Sequence, residues 1–188
     1  PPWLSYRYME PGTQRRFREE CQRRGLWAGG KVATHQDLSG YFFVRCVELY
    51  LKLGGAIAFV MPYAALSRRQ FKGFRSGVYG ARRGKRVERV SATVQFTEAW
   101  AFSDDVQPLF PVPSCVLFGR PGEGKGKVLL DTVLAASGTL PRRDASAAEA
   151  DAALSWREAR WPAIADVESP SSPYHDVFRQ GATIVPRV

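Results

Sequence analysis

Apolar residues recur every three or four positions along DLSGYFFVRCVELYLKL, residues 37–53. They are Leu38, Phe42, Cys46, Leu49 and Leu53. This spacing predicts a helix with one apolar side. Thr34 or Asp37 can cap its start, and Gly54 followed by Gly55 suits the left-handed residue that ends many helices.

The next apolar run, AIAFVMP at residues 56–62, is short and continuous. Such a run is typical of a strand that is buried on both faces of a sheet. A helix, two glycines and a buried strand together indicate the second half of a βαβ unit. The pattern therefore predicts an α/β protein.

Further elements follow along the chain. Residues 64–75 predict a helix, and the Gly- and Arg-rich residues 77–86 predict a mobile loop. RVERVSATVQF and SCVLFG predict an antiparallel strand pair that finishes the sheet, and KVLLDTVLAA predicts another strand. The proline-rich SDDVQPLFPVP between the pair predicts a structured loop.

The last third of the sequence is less regular. Residues 146–156 predict a helix, because Ser146 and Glu149 have the spacing of a capping box. Residues 162–173 are rich in Pro, Ser and acidic side chains and predict irregular chain, and residues 181–188 predict the start of a strand.

The composition suits a folded domain with one core, since 45% of the 188 residues are hydrophobic and 12% are aromatic. No run approaches the roughly 18 to 20 apolar residues of a membrane helix, and because the first residues lack a basic start leading into an apolar stretch, we expect no signal peptide. Three widely spaced cysteines suit reduced thiols and a cytoplasmic protein, and they do not predict a metal site.

Charge adds a candidate partner, because the formal net charge is +9. Residues 68–89 contain nine basic side chains and one acidic side chain. A cluster of one sign repels itself unless a polyanion lies nearby, so this segment predicts a surface that faces phosphates. The alternative is an ordinary solvated surface.

Other chemical motifs in the sequence are weak. GRPGEGKG, residues 119–126, is close to a phosphate-binding P-loop, but Gly126 replaces the Ser or Thr that holds magnesium, and a strand follows instead of a helix. His35 and His175 have no sequence neighbours that indicate catalysis. The Asp104-Asp105 pair favours a capped turn over a metal site.

An ordered set of segments, however, resembles a known family. The set is Pro1-Pro2-Trp3, the helix that begins at Asp37, GGAIAFVMP and LFPVPSCVLFG. It is similar to the adenine-N6 DNA methyltransferases of large restriction-modification and phage-defence systems. Motif IV of that family is Asn, Asp or Ser followed by Pro, Pro and an aromatic residue, and this sequence shows its last three members.

The resemblance implies roles for the motif residues. The carbonyl of Pro1 would accept a hydrogen bond from the adenine amino group, and Pro2 would hold the turn rigid. Trp3 and Phe110 would contact the target base after it leaves the duplex. For both aromatic residues, an ordinary place in the core is the alternative.

The resemblance also implies S-adenosylmethionine as the cofactor, with Asp37 and Phe42 on the cofactor side. Basic side chains of the 68–89 segment would contact DNA phosphates without reading bases. They are Arg68, Arg69, Lys72, Arg75, Arg82 and Arg83.

In this family the fold is Rossmann-like, with a mostly parallel sheet and an antiparallel terminal strand pair. The resemblance implies that residues 1–140 are the second half of the catalytic domain and that residues 141–188 lead toward a DNA target-recognition region. The Gly-x-Gly turn of the cofactor motif is missing, so we expect a partial domain that is inactive alone. The expected partners are double-stranded DNA, the cofactor-binding half and the target-recognition region, with no membrane.

Two other functions remain open from the sequence. One is a non-catalytic DNA-binding module with a methyltransferase-like fold. The other is an amine methyltransferase that acts on RNA or protein, because the Pro-Pro-aromatic turn suits any planar amine.

Overall fold

The helical stripe at residues 37–53 forms a helix, but a different side of it is buried. In the computed structural model, which describes residues 2–84, 86–109, 112–124 and 132–160, helix α2 spans Leu38–Tyr50. Its buried large side chains are Phe43, Val44 and Val47. Leu49 and Leu53, which the stripe places toward the core, are 57% and 81% exposed. The predicted helix is confirmed. Of its apolar stripe, Leu38 and Cys46 are partly buried against the core, and the other members are exposed.

The described helices and strands follow one another in this order: α1 Pro11–Arg23, α2, β1 Ile57–Pro62, α3 Ala64–Ser67, α4 Lys72–Arg75, β2 Val78–Arg83, β3 Arg86–Gln107, β4 Ser114–Pro121, β5 Thr132–Thr139, α5 Ala147–Ala153 and β6 Leu154–Arg160. Among the described residues, a 3₁₀ turn at Tyr6–Tyr8 precedes α1, and two more lie at Gly30–His35, before α2, and at Arg69–Phe71, between α3 and α4.

The described strands form one sheet in the order β1–β4–β3–β5–β6, with β2 paired to β3. β1 and β3 are both antiparallel to β4, so they run in the same direction on either side of it. β3 and β5 are parallel, whereas β2 with β3 and β5 with β6 are antiparallel. The α/β class and the antiparallel pair of β3 and β4 are confirmed. The expectation that parallel pairs predominate does not hold among these strands.

The sheet has two different faces. One face carries the main core, in which Met61, Phe96 and Leu117 are fully buried and Phe43 of α2 packs 6.0 Å from Phe96 between ring centroids. The opposite face carries a smaller apolar cluster around Val106, Ala136 and Leu140, against which α5 packs. Because alternate residues of a strand point to opposite faces, β3, β5 and β6 contribute to both clusters.

Four segments differ from their predicted form, and the first is the predicted loop at residues 103–113, whose residues 103–107 belong to β3. Residues 78–83, predicted as a loop, form β2 of a hairpin with β3, and Gly77 and Gly84 supply positive φ at its two ends. Residues 64–75 form α3, a 3₁₀ turn and α4, because Arg68 has extended backbone angles. The predicted helix at 146–156 ends at Ala153, although its capping box is present.

The sheet continues past residue 140, where the resemblance places a domain boundary. β6 pairs with β5 along its full length, so residues 154–160 belong to the same sheet as the preceding strands. Residues 161–188 lie outside the described residues. None of the described helices has the length and apolar character needed to cross a membrane.

Candidate functional site

An open cavity of about 760 Å³ lies at the carboxyl end of β1. Its lining comes from the end of β1, from α3 and its following turn, and from the loop before β4: Pro62, Tyr63, Ala64, Ser67, Arg68, Arg69, Val112 and Pro113. Ligands of open α/β sheets bind outside the carboxyl ends of strands, so the location itself favours a binding site.

Backbone hydrogen bonds shape this cavity. The N–H of Tyr63 donates to the carbonyl of Pro113 over 3.1 Å, which ties the end of β1 to the start of β4. The N–H of Arg68 donates to the carbonyl of Ala64 over 2.9 Å and closes α3. Arg68 then leaves the helix in an extended conformation, so Arg68 and Arg69 reach the surface side by side. The result is a cavity with two exposed cations at its edge.

Arg75 does not face a phosphate, contrary to its predicted role. It is 3% exposed, and its Nη1 donates to the carbonyls of Ala65 and Arg68 over 3.1 and 2.9 Å. Burial lowers the pKa of Arg75 to about 10, so the guanidinium remains charged at neutral pH. Arg75 supports the segment that carries Arg68 and Arg69 from inside the fold.

The other predicted phosphate contacts lie apart from the cavity lining. Lys72 is exposed on α4. Arg82 folds back along the hairpin and donates from Nη2 to Ser76 Oγ over 3.0 Å. The side chain of Arg83 is 89% exposed, 3.9 Å from a carboxylate oxygen of Glu88. Of the six predicted cations, Arg68 and Arg69 line the cavity.

The predicted motif IV residues are only partly described. Pro2 is exposed, and Trp3 is half-buried. The segment is held to the start of α2, where the N–H of Leu38 donates to the carbonyl of Leu4 over 3.0 Å. Pro1 and Phe110 lie outside the described residues, so their predicted contacts with the target base stay predictions, as does the role of Trp3.

Asp37 and Phe42 occupy structural positions. Asp37 caps α2, where its Oδ1 accepts from the N–H of Ser39 over 2.8 Å and also from the Ser39 hydroxyl. Burial raises the pKa of the Asp37 carboxyl. Phe42 is 40% exposed, with its ring centroid 6.1 Å from that of Phe59.

These two residues do not fit S-adenosylmethionine by themselves. Asp37 lines a cavity of about 10 Å³, which is room for about one water. Neither residue lines the 760 Å³ cavity. Within the described residues, no group of three or more His, Cys, Asp or Glu side chains is placed to hold a metal ion.

The thiols are not activated. Burial raises the pKa of Cys21 to about 12 and raises the pKa of Cys115 further. A thiol of that pKa is protonated at neutral pH and is a poor nucleophile. The polar side chains that line the 760 Å³ cavity are those of Tyr63, Ser67, Arg68 and Arg69.

Sequence reasoning missed Tyr63, Ser67 and Pro113 as cavity residues. The available signal was the buried strand that ends in Pro62 and is followed at once by small residues and two arginines. The contact between Tyr63 and Pro113 joins residues fifty positions apart, which periodicity cannot show. No known protein-family model matches the chain, and no curated protein matches it.

Proposed function

We propose that this chain is the second half of a Rossmann-like catalytic domain that transfers a methyl group from S-adenosylmethionine to adenine N6 in DNA. The observation that supports it is the strand order β1–β4–β3, in which an antiparallel strand lies between two strands of like direction. That arrangement agrees with the antiparallel terminal pair that the resemblance implies. The system we propose is restriction-modification or phage defence.

The placement of the cavity supports DNA as the partner. Its two arginines are adjacent, exposed and at the carboxyl end of β1, where α/β enzymes bind substrates. Arginine suits phosphate because its guanidinium can donate two parallel hydrogen bonds. Under this proposal Arg68 and Arg69 hold the DNA backbone, and Trp3 supports the displaced base.

Because Asp37 and Phe42 do not form a cofactor cavity, we propose that the cofactor-binding half lies in another part of a longer protein. The outer edge of β1 fits this proposal, since β1 ends the order of described strands. We further propose that the segment after residue 140 leads toward a target-recognition region. The protein would act in the cytoplasm.

Replacing both Arg68 and Arg69 by alanine tests the DNA contact. We expect the affinity of the chain for a duplex to fall roughly tenfold at low salt, and the slope of log K against log salt to decrease by about 1.8, for two lost phosphate contacts. Fluorescence anisotropy with a labelled duplex across a salt series measures both quantities.

The matched control replaces Arg15 and Arg16 of α1, which are also adjacent and exposed, by alanine. It removes the same charge from another surface. If this variant loses as much affinity and slope as the Arg68 and Arg69 variant, the binding is a general effect of net charge and the proposed contact is wrong.

Trp3→Ala tests the methyl transfer itself, in the longer protein that we propose. Loss of a stacking platform removes about 1 to 3 kcal/mol per base, so we expect methyl transfer to fall by about tenfold to a hundredfold. Trp3→Phe keeps an aromatic face and should retain most activity. Transfer of radiolabelled methyl groups to adenine-containing DNA measures this, with circular dichroism to confirm folding. Normal turnover by Trp3→Ala would show that Trp3 does not support the target base and has a packing role instead.

A second candidate function is a DNA-binding module without catalysis. The observation that favours it is the cavity beside Asp37, whose volume of about 10 Å³ is too small for S-adenosylmethionine. Calorimetric titration of the longer protein with S-adenosylmethionine separates the two functions. Binding supports the methyltransferase, and no binding supports the module.

A further inference from the structure

A second cavity, of about 400 Å³, lies on the opposite face of the sheet from α2, between the strands and α5. Its walls are aromatic and aliphatic except for two charged side chains: Trp100, Phe102, Leu109, Val116, Leu140, Arg143, Ala145, Ala147, Ala150, Asp151, Leu154 and Trp156. Volumes of about 300 to 1,000 Å³ with apolar walls and a few polar groups are typical of small-molecule sites.

Three aromatic rings form the sheet side of this cavity. Trp156 of β6 meets Trp100 and Phe102 of β3 edge to face, with ring centroids 5.3 and 5.7 Å apart. Trp100 also packs edge to face on Phe118, at 4.7 Å. These contacts orient the rings relative to one another, with Trp100 half-buried and Trp156 40% exposed.

The opposite wall is the alanine-rich side of α5. Ala147 and Ala150 lie three positions apart on this helix and both line the cavity. Their methyl side chains leave open the space that larger residues would fill. A slot between small side chains and aromatic rings suits a flat ring, which can make offset or edge-to-face contacts with the indoles.

The charged side chains of the cavity indicate the charge of its ligand. Arg143 lines the cavity and forms no ion pair with any described residue, whereas its neighbour Arg142 is paired with Asp144 and Glu149 at 3.4 and 3.0 Å. An exposed guanidinium that pairs with no described carboxylate can bind the anionic group of a ligand in the apolar slot. Asp151 can accept a hydrogen bond from a donor on the same ligand.

We propose that this cavity binds a planar aromatic ligand with one anionic group, its ring between α5 and Trp100 and its anion at Arg143. The site lies on the face of the sheet opposite the main core. The proposal for it does not depend on the proposed methyl transfer. Nucleotides and aromatic carboxylic acids both have this chemistry.

Ala150→Phe tests the cavity because the larger side chain fills it. The probe is 1-naphthoate, titrated calorimetrically into the full chain. We expect saturable binding that Ala150→Phe weakens at least tenfold. The matched control is Ala152→Phe, at an exposed position on the same helix, which should bind as the unchanged chain does. Equal binding by both variants, or no binding of naphthoate to the unchanged chain, would overturn the proposal.

Arg143→Gln tests the sign of the charge. We expect it to weaken 1-naphthoate about fivefold and to leave the neutral analogue 1-naphthalenemethanol unchanged. Tighter binding of 1-naphthylmethylamine than of naphthoate would show that Asp151 dominates and that an anionic ligand is wrong. Competition by adenosine 5′-monophosphate distinguishes a nucleotide from an aromatic carboxylic acid as the ligand. Displacement of naphthoate supports a nucleotide in this site, and no displacement supports an aromatic acid.

Discussion

Arg24→Ala is expected to lower the free energy of unfolding by about 3 kcal/mol, the loss typical when one partner of a buried ion pair is removed. Arg24 donates through Nε and Nη2 to Glu48 over 2.9 and 3.1 Å, and through Nη1 to Glu20 over 2.6 Å. The side chains of Arg24 and Glu48 are 11% and 10% exposed. These bonds join the end of α1 to α2, and their loss leaves Glu48 with hydrogen bonds from Arg45 and Ser91.

Arg23→Ala is the control, because the Arg23 side chain is 69% exposed and, among the described residues, bonds Glu20 alone. An exposed pair contributes up to about 1 kcal/mol, so we expect a far smaller loss. Urea unfolding followed by circular dichroism measures both variants. Equal losses would show that the buried pair contributes no more than a surface pair.

The Arg24 effect should depend on pH. Burial raises the pKa of Glu48, but hydrogen bonds from Arg24 and Arg45 outweigh burial, and the pKa lies below its ordinary value of 4.5. A carboxyl with a lowered folded pKa contributes stability above its unfolded pKa and loses it as pH falls through the folded pKa. The difference in stability between the unchanged chain and Arg24→Ala should therefore be full at pH 7 and shrink below about pH 4.5.

Local patterns were sufficient for the helix at Leu38–Tyr50 and the strand at Ile57–Pro62. They could not select the buried side of α2, because this helix has apolar residues on two sides. Phe43 is buried because it meets Phe74 and Phe96, which lie more than thirty positions away. Only the tertiary fold decides between two sides that are both apolar.

In the candidate site, the sequence pattern also could not show which charged side chains are exposed. Arg68 and Arg75 belong to one basic segment, yet one is exposed and the other is buried against backbone carbonyls. A count of charges predicts a phosphate-facing surface but cannot show which guanidinium turns inward. The pattern predicted the antiparallel pairing of β3 with β4 but not that of β1 with β4, which joins segments that are distant in sequence.

The short segment that carries Arg68 and Arg69 depends on a close backbone approach at Gly73. A Cβ on Gly73 would lie 2.0 Å from the carbonyl oxygen of Gly25, in the turn after α1. Backbone atoms cannot move aside as a flexible side chain can. Gly73→Ala is therefore expected to lower the free energy of unfolding by about 3 kcal/mol, at the upper end for overpacking.

If Gly73→Ala still folds, α4 must shift away from the α1 turn, and the cavity arginines must shift with it. We then expect its affinity for duplex DNA to fall toward that of the Arg68 and Arg69 double variant.

Gly12→Ala on α1 is the control, because nothing lies within 4 Å of its Cβ and alanine favours a helix by about 0.5 to 1 kcal/mol over glycine. Unfolding in urea and anisotropy with the same duplex measure the two effects separately. Full stability in Gly73→Ala would show that the α1 turn and α4 are not in contact in solution. Full DNA affinity in a destabilised Gly73→Ala would show that Arg68 and Arg69 are positioned by β1 and α3 alone.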